Sequence, residues 1–314
     1  MKKPMSFPQV EDPLVIFTGP SARGWHRLQN AAECLQKYAW GYENGPRKDI
    51  SKKPPLAIGS LIHLALAQFY GRMKNEQEGR NPNEYMDPYE AVRFIAELQG
   101  NEKHTPNVVE TFQAYEKHYW QDINTRRIVA VETLCDGNLL DGLTPEEQAV
   151  ALGYPRELFR LTGRVDLVYE DLGGLLWAED HKSTSRLTKR HQEYFGVSGQ
   201  LLGYEFLIRQ NNPDLAGFKI NLVQHAGHAE PRFERITLPR RPKLEEQFVA
   251  RAVDIELSIQ RTKEENRPVG EWPKAMSELT CYHRYGACDY IDQCRFGADA
   301  RKAGNWEFDD SDWG

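Results

Sequence analysis

Gly163-Arg164-Val165-Asp166 is followed, fourteen residues after its aspartate, by Asp180-His181-Lys182. Each half sits in an apolar run with strand character, Leu161 to Tyr169 and Leu175 to Asp180, and Asp171-Leu172-Gly173-Gly174 between them is a turn signal. An antiparallel hairpin of this length brings Asp166 and Asp180 together at one end of a sheet. Two carboxylates converging beside a lysine suit divalent-metal hydrolysis of a phosphodiester. Hard oxygens hold Mg²⁺ or Mn²⁺, the ion lowers the pKa of a water, and the ammonium balances charge gathering on phosphorus. An Asp-X-Lys triplet is short enough to arise by chance at a strand end, so its companions decide its weight.

Gln200 and Tyr204 lie in an apolar segment of helical periodicity that runs to about Gln210, and residues four apart share a helix face. A helix behind the hairpin can therefore aim both at the carboxylate end. Upstream, Ala57-Ile58-Gly59-Ser60-Leu61-Ile62-His63-Leu64-Ala65-Leu66 is a second helical run, carrying His63 among apolar neighbours. A lone histidine in such a run is commonly a core residue. Here a third ligand is wanted, and imidazole suits Mn²⁺ better than Mg²⁺.

Gly59-Ser60-Leu61-Ile62-His63, Gly163-Arg164-Val165-Asp166, Asp180-His181-Lys182 and Gln200-Leu201-Leu202-Gly203-Tyr204 together resemble the successive motifs of RecB-like nucleases of the PD-(D/E)XK superfamily. The order agrees, and the stretch from His63 to Tyr204 covers nearly half the chain. The resemblance implies that His63, Asp166 and Asp180 bind metal with help from the backbone carbonyl of His181. It implies that Lys182 positions the attacking water or stabilises the transition state, and that Gln200 and Tyr204 support the site or touch DNA. Glu132, in the strand-like Ile128-Val129-Ala130-Val131-Glu132-Thr133-Leu134, is a weaker candidate behind the ligands. Of the adjacent acids Glu179 and Asp180, strand alternation places Asp180 with Lys182 and Glu179 opposite, so Asp180 is the expected ligand.

Five cysteines, an odd number, occur in a sequence with no credible export segment, because Pro4, Pro8 and Pro13 interrupt any apolar run after Lys2 and Lys3. No run approaches the length of a membrane span. A reducing cytoplasm is the expected setting, where clustered cysteines more often bind metal than pair. Cys281, Cys288 and Cys294 are clustered, Cys34 stands far upstream, and Cys135 lies in an apolar strand as a core residue. One N-terminal cysteine with three near the C-terminus resembles the iron–sulfur subgroup of these nucleases, including AddB-type and CRISPR-adaptation exonucleases. That resemblance implies a 4Fe–4S cluster on Cys34, Cys281, Cys288 and Cys294. The six residues between Cys281 and Cys288 exceed the family's commoner two, whereas the five between Cys288 and Cys294 agree. A structural Zn²⁺ on the same thiolates and plain buried cysteines are the alternatives. Joining Cys34 to the trio would restrict the unfolded chain by about 5 kcal/mol through loop closure, a staple that needs no redox chemistry.

The element order predicts helices near 27–42, 57–74, 88–99 and 107–122, and strands at 128–135, 160–170 and 175–182. A helix near 191–210, strands at 217–226 and 232–237, and a helix at 242–262 follow. That order fits an α/β fold, a PD-(D/E)XK core of mixed sheet flanked by helices, with an N-terminal helical elaboration and a C-terminal cysteine-cluster segment. The expected division is a helical region over 1–125, a nuclease core over 126–265, an Fe–S segment over 266–300 closing on Cys34, and an acidic tail over 301–314.

A net charge of −6 excludes a uniformly basic surface but not a basic groove. Arg186, Lys189 and Arg190 form one basic run after the triplet, and Arg240, Arg241 and Lys243 a second. Each either lines the groove, with salt-sensitive binding, or is solvated surface. Tyr38, Trp40, Tyr282 and Tyr285 either stack unpaired bases or pack around the cysteines. The acidic tail, with Trp306, Phe308 and Trp313, is solvated or docks a protein partner.

The expected function is a metal-dependent DNA exonuclease acting on single strands or free ends, in recombination, repair or phage DNA processing. Lack of a helicase phosphate loop suggests a separate subunit or a phage-type nuclease. A structure-specific endonuclease on the same site, a non-catalytic DNA-binding or assembly module, and a zinc-finger-like binder are the other readings.

Overall fold

The computed structural model describes residues 21–43, 54–227, 229–283 and 286–297. Lys2, Lys3, Tyr285 and the acidic tail lie outside the described residues. Its main helices are α1 (Trp25–Glu33), α2 (Leu35–Tyr42), α3 (Pro54–Gln77), α4 (Pro88–Leu98), α5 (Thr105–His118), α6 (Arg190–Gly196), α7 (Gly199–Asn211), α8 (Pro242–Glu264) and α9 (Ile291–Phe296). Five strands, β1 (Arg126–Asn138), β2 (Arg160–Asp171), β3 (Leu176–Thr184), β4 (Leu215–Gln224) and β5 (Arg232–Pro239), form one sheet in sequence order. β2–β3 and β4–β5 are antiparallel, whereas β3 and β4 run parallel with α6 and α7 in the crossover between them. The sheet is therefore mixed and flanked by helices, as the element order predicts.

The chain folds as two units that are discontinuous in sequence. The first contains the described residues within 54–137 and 161–248, together with Ser21; the second contains those within 22–43, 138–160 and 249–297.

In the first unit, α3 supplies Leu61, Ala65, Leu66 and Tyr70 to a core shared with Val92 and Ala96 of α4 and Val108 and Phe112 of α5. Ile128, Leu167, Tyr169 and Val223 meet it from the sheet. Each such side chain contributes about 1.5–3 kcal/mol by leaving water. α4 starts where it does because Asp87 accepts from the N–H groups of Tyr89 and Glu90, and Pro88 occupies a position whose N–H has no helical partner. The β2–β3 turn is fastened by Asp171, whose carboxylate accepts from the N–H groups of Gly173 and Leu175 and from the Trp177 indole. Gly174 supplies the left-handed residue there, with φ 76°.

The second unit holds α1 and α2, which periodicity alone joins into one helix over 27–42. They are separate because Cys34 is extended, with φ −167° and ψ 116°. The backbone N–H of Gln36 donates to Pro273 at 2.9 Å. Arg27 and Glu256 form a buried ion pair. Tyr38 stacks on Trp272 and Trp40 meets Tyr290, and only 2% of Tyr38 and 5% of Trp40 is exposed. These two aromatics pack the unit and are not available to bases.

The helix expected over 191–210 is likewise two, α6 ending at Gly196 and α7 restarting after the extended Ser198. β-branched Val197 and serine at a cap position favour that break.

Candidate active site

β2 and β3 pair as far as Leu167↔Glu179. One step further the strands part, and Asp166 uses its carboxylate where a backbone carbonyl would pair: Oδ2 accepts from the His181 N–H at 2.6 Å. The split leaves Asp166 and Asp180, one on each strand, at a common mouth. Lys182, two residues on and on the same face as Asp180, places Nζ 2.6 Å from Asp180 Oδ2. Glu179 points the other way and is wholly buried, 3.0 Å from Arg126 and 3.7 Å from Arg235. Alternation thus assigns Asp180 and not Glu179 to the site.

α3 brings His63. Gly59, one turn earlier, lets the helix lie against β3, since a Cβ there would stand 2.9 Å from Ser183 Oγ. His63 Nδ1 is 3.5 Å from Asp166 Oδ2. Ligand atoms of His63, Glu132 and Asp166 all lie within 4.8 Å of one another, the one such set of three among the described residues. Glu132 therefore stands beside His63 and Asp166, the expected ligands, rather than behind them. Its φ of 49° is rare for a side-chain-bearing residue, and the buried–exposed alternation of β1 changes phase beside it. A left-handed residue within a strand re-aims its side chain, and Glu132 meets His63 and Asp166 here.

On the strand face opposite Asp180 and Lys182, the face that α3 covers, the His181 ring is 2% exposed, lies against Tyr70 with centroids 5.8 Å apart, meets the His63 ring edge-on at 6.0 Å, and places Nδ1 2.9 Å from Asn221 Nδ2. Burial pushes this imidazole down to about 4, so it is neutral and receives the amide hydrogen. The imidazole of His181 thus belongs to a buried network, with Asn221 also donating to the Tyr115 hydroxyl at 2.8 Å. The main chain of His181 is what faces the site.

α7 contributes Gln200 and Tyr204, whose side chains are bonded to each other at 2.9 Å, as their spacing predicts. The Tyr204 ring lies over Gly163; a Cβ there would be 2.6 Å from Cε1. Gly163→Ala is expected to displace that half-buried ring, cost about 1–3 kcal/mol and slow cleavage. Urea unfolding and cleavage rates of the variant check both parts.

The electrostatics are those of a site built for a cation. Burial disfavours charge on His63, but the Asp166 carboxylate, with help from Glu132, pushes its imidazole up to about 9. Burial and then repulsion from Asp166 push Glu132 up to about 8, against the pull of His63 and Arg164. Burial would also raise Asp166, yet His63, His181 and Lys182 hold it well below the usual carboxylate range. Burial and Asp166 lift Asp180 against the pull of Lys182. Burial opposes charge on Lys182, but Asp180 and Asp166 raise its pKa, so it stays an ammonium.

Two carboxylates and an imidazole within 4.8 Å of one another fit a hard divalent ion, which would relieve the repulsion that now holds a proton on Glu132; Asp180, bonded to Lys182, stands outside that close set. Such an ion must displace the protons of His63 and Glu132, so Mn²⁺ affinity should climb with pH across roughly 7–9. Both folded-state pKa values are raised. The His63 contribution to stability is present below its unfolded value of 6.5 and lost as pH rises through about 9. The Glu132 contribution falls between its unfolded 4.5 and about 8. Thermal melts should show the metal-free midpoint falling from pH 6 to 9 while the gain on adding Mn²⁺ grows. A gain independent of pH would contradict this.

Of the two basic runs, Arg186, Lys189 and Arg190 are exposed. In the second, Arg241 is spent on internal contacts, donating to the Gly196 carbonyl and standing 3.7 Å from Glu205, so only Arg240 and Lys243 of that run are exposed.

A mixed sheet whose parting strands deliver an aspartate and an Asp-X-Lys triplet to an imidazole and a glutamate defines a divalent-metal nuclease. The sequence model of the PD-(D/E)XK nuclease superfamily matches residues 25–295, and the chain belongs to that superfamily. No curated protein matches the chain. Members of this superfamily are metal-dependent nucleases, which makes DNA the implied substrate. No helix among the described residues is long and apolar enough to cross a membrane.

Proposed function

We propose that this chain is a RecB-like DNA exonuclease, cutting phosphodiester bonds from free ends, with Mg²⁺ or Mn²⁺ held by His63, Glu132, Asp166, Asp180 and the His181 carbonyl. The observation that carries the proposal is the meeting of His63, Glu132 and Asp166 within 4.8 Å, with Asp180 and Lys182 on the adjoining strand. When bound, the ion supplies Lewis acidity and a water of lowered pKa. Lys182 keeps its proton and offers positive charge where the phosphate gathers negative charge. Asp180 orients that ammonium, and the His181 N–H fixes the Asp166 carboxylate. Tyr204, held by Gln200, closes the mouth of the site.

The cysteines support an iron–sulfur staple. Cys34 projects from the break between α1 and α2, and the trio is knitted locally, the Cys288 N–H donating to the Cys281 carbonyl at 2.7 Å. Burial pushes the Cys294 thiol up to about 11; Lys274 opposes this, and Cys34, Cys288 and Cys281 add to it, so all four sulfurs feel one another. Tetrahedral zinc at about 2.3 Å from sulfur needs thiolates about 4 Å apart. A 4Fe–4S cluster takes the same four thiolates, and metal content separates the two. Protein purified without oxygen should carry about four irons per chain and lose them in Cys34→Ser, whereas one zinc per chain would replace this part of the reading.

The setting we infer is a reducing cytoplasm, in recombination, repair or phage DNA processing, with the acidic tail as a protein-docking segment. Linear and circular single strands incubated with Mn²⁺ test the activity. Degradation of the linear strand alone supports an exonuclease, cutting of both shows an endonuclease, and cutting of neither leaves a DNA-binding module.

A further inference from the structure

The segment that leaves the catalytic strand and returns to the supporting helix has its own surface chemistry. Between Lys182 on β3 and Gln200 on α7 it carries Arg186, Lys189 and Arg190, all exposed, and then Tyr194, which is 68% exposed. The segment is anchored. The Leu187 N–H donates to Gln224 Oε1 of β4 at 2.9 Å, and Thr184 Oγ1 donates to the Arg186 carbonyl at 3.0 Å. Phe195, the neighbour of Tyr194, is buried and meets its ring edge-on, centroids 5.1 Å apart. Tyr194 is thus a large aromatic ring set on a fixed base and left facing water. The segment leaves β3 at Thr184, two residues after Lys182.

Exposed cations are followed by an exposed ring, both on the segment that leaves the strand carrying the group that would meet the scissile phosphate. That is the pairing used by single-strand binders, where cations follow the backbone and rings stack on bases. Duplex DNA, with its bases already stacked on one another, offers such a ring nothing. We propose that Tyr194 is a stacking platform for an unpaired nucleotide beside the cleavage point, with Arg186, Lys189 and Arg190 taking the neighbouring phosphates. The site thereby selects single-stranded or frayed DNA. This rests on the nuclease reading above, and its test uses binding so that the two fail separately.

The experiment measures affinity for a fluorescent oligothymidylate and for an abasic oligomer of equal length, in calcium, by anisotropy. The proteins compared are the wild-type chain, Tyr194→Ala, Tyr194→Phe and the triple variant Arg186→Gln/Lys189→Gln/Arg190→Gln. Tyr194→Ala should weaken oligothymidylate binding about tenfold, the scale of one lost base–ring stack. Tyr194→Phe should bind within about twofold of wild type, because the ring and not the hydroxyl makes the stack. Neither should alter abasic binding. The triple variant should flatten the dependence of log affinity on log salt by about 2 for both oligomers. Equal loss of abasic binding in Tyr194→Ala, or unchanged oligothymidylate affinity, would overturn the platform. An unchanged salt slope in the triple variant would overturn the phosphate contacts.

Discussion

Lys182→Met should bind Mn²⁺ and DNA nearly as the wild-type chain does, yet cleave at least about a thousandfold more slowly, the scale expected when a charge aimed at the transition state is removed. Two losses combine. The ammonium 2.6 Å from Asp180 disappears, and the Asp180 carboxylate, already lifted by burial and by Asp166, loses the charge that opposes the lift. Its pKa then rises further. The double variant Asp180→Asn/Lys182→Met should therefore be little slower than the single one, because the pair acts as a unit. Single-turnover cleavage of end-labelled DNA at saturating Mn²⁺ compares the wild-type chain, Asp180→Asn, Lys182→Met and the double variant. Multiplicative losses would show that the two residues act independently.

Glu132→Gln should move activity and stability in opposite directions. In chelator its melting midpoint should rise by about 2–4 °C, since the amide keeps the shape and removes a carboxylate that repels Asp166. At limiting Mn²⁺ its cleavage should fall about a hundredfold, the upper end of losses seen for groups that set metal affinity. The positive φ of Glu132 has the same meaning: local strain and crowded charge are tolerated where an ion is to be held. Calorimetry with and without Mn²⁺ reads both effects. A variant that melts lower in chelator would mean that Glu132 is a structural partner of Arg164 or His63 and not a metal ligand.

The hairpin was legible because its signals are local. Alternation within Leu175 to Lys182, the Asp-Leu-Gly-Gly turn and the i,i+4 spacing of Gln200 and Tyr204 each fix geometry over a few residues, and the structure repeats them. Glu132 was placed too far back, because Val129-Ala130-Val131 is continuously apolar and hides where the alternation of β1 slips by one residue. The break at Cys34 escaped periodicity because no proline or glycine stands beside it, and the one at Val197-Ser198 because Gly196 and Gly199, which flank it, sit in an otherwise continuous helical pattern. Tyr38 and Trp40 could not be sorted between base-stacking and packing from sequence, since their burial depends on Trp272 and Tyr290, far along the chain. The role of the His181 ring was equally hidden. Its partners Tyr70 and Asn221 come from α3 and β4, and only the folded sheet puts them behind the catalytic face.

Anomalous scattering from a crystal of the chain soaked in Mn²⁺ would locate the ion directly. Density bounded by the His63 imidazole and the carboxylates of Glu132, Asp166 and Asp180 is the predicted result. Manganese bound elsewhere in a chain that still degrades DNA, with those four side chains untouched, would contradict it.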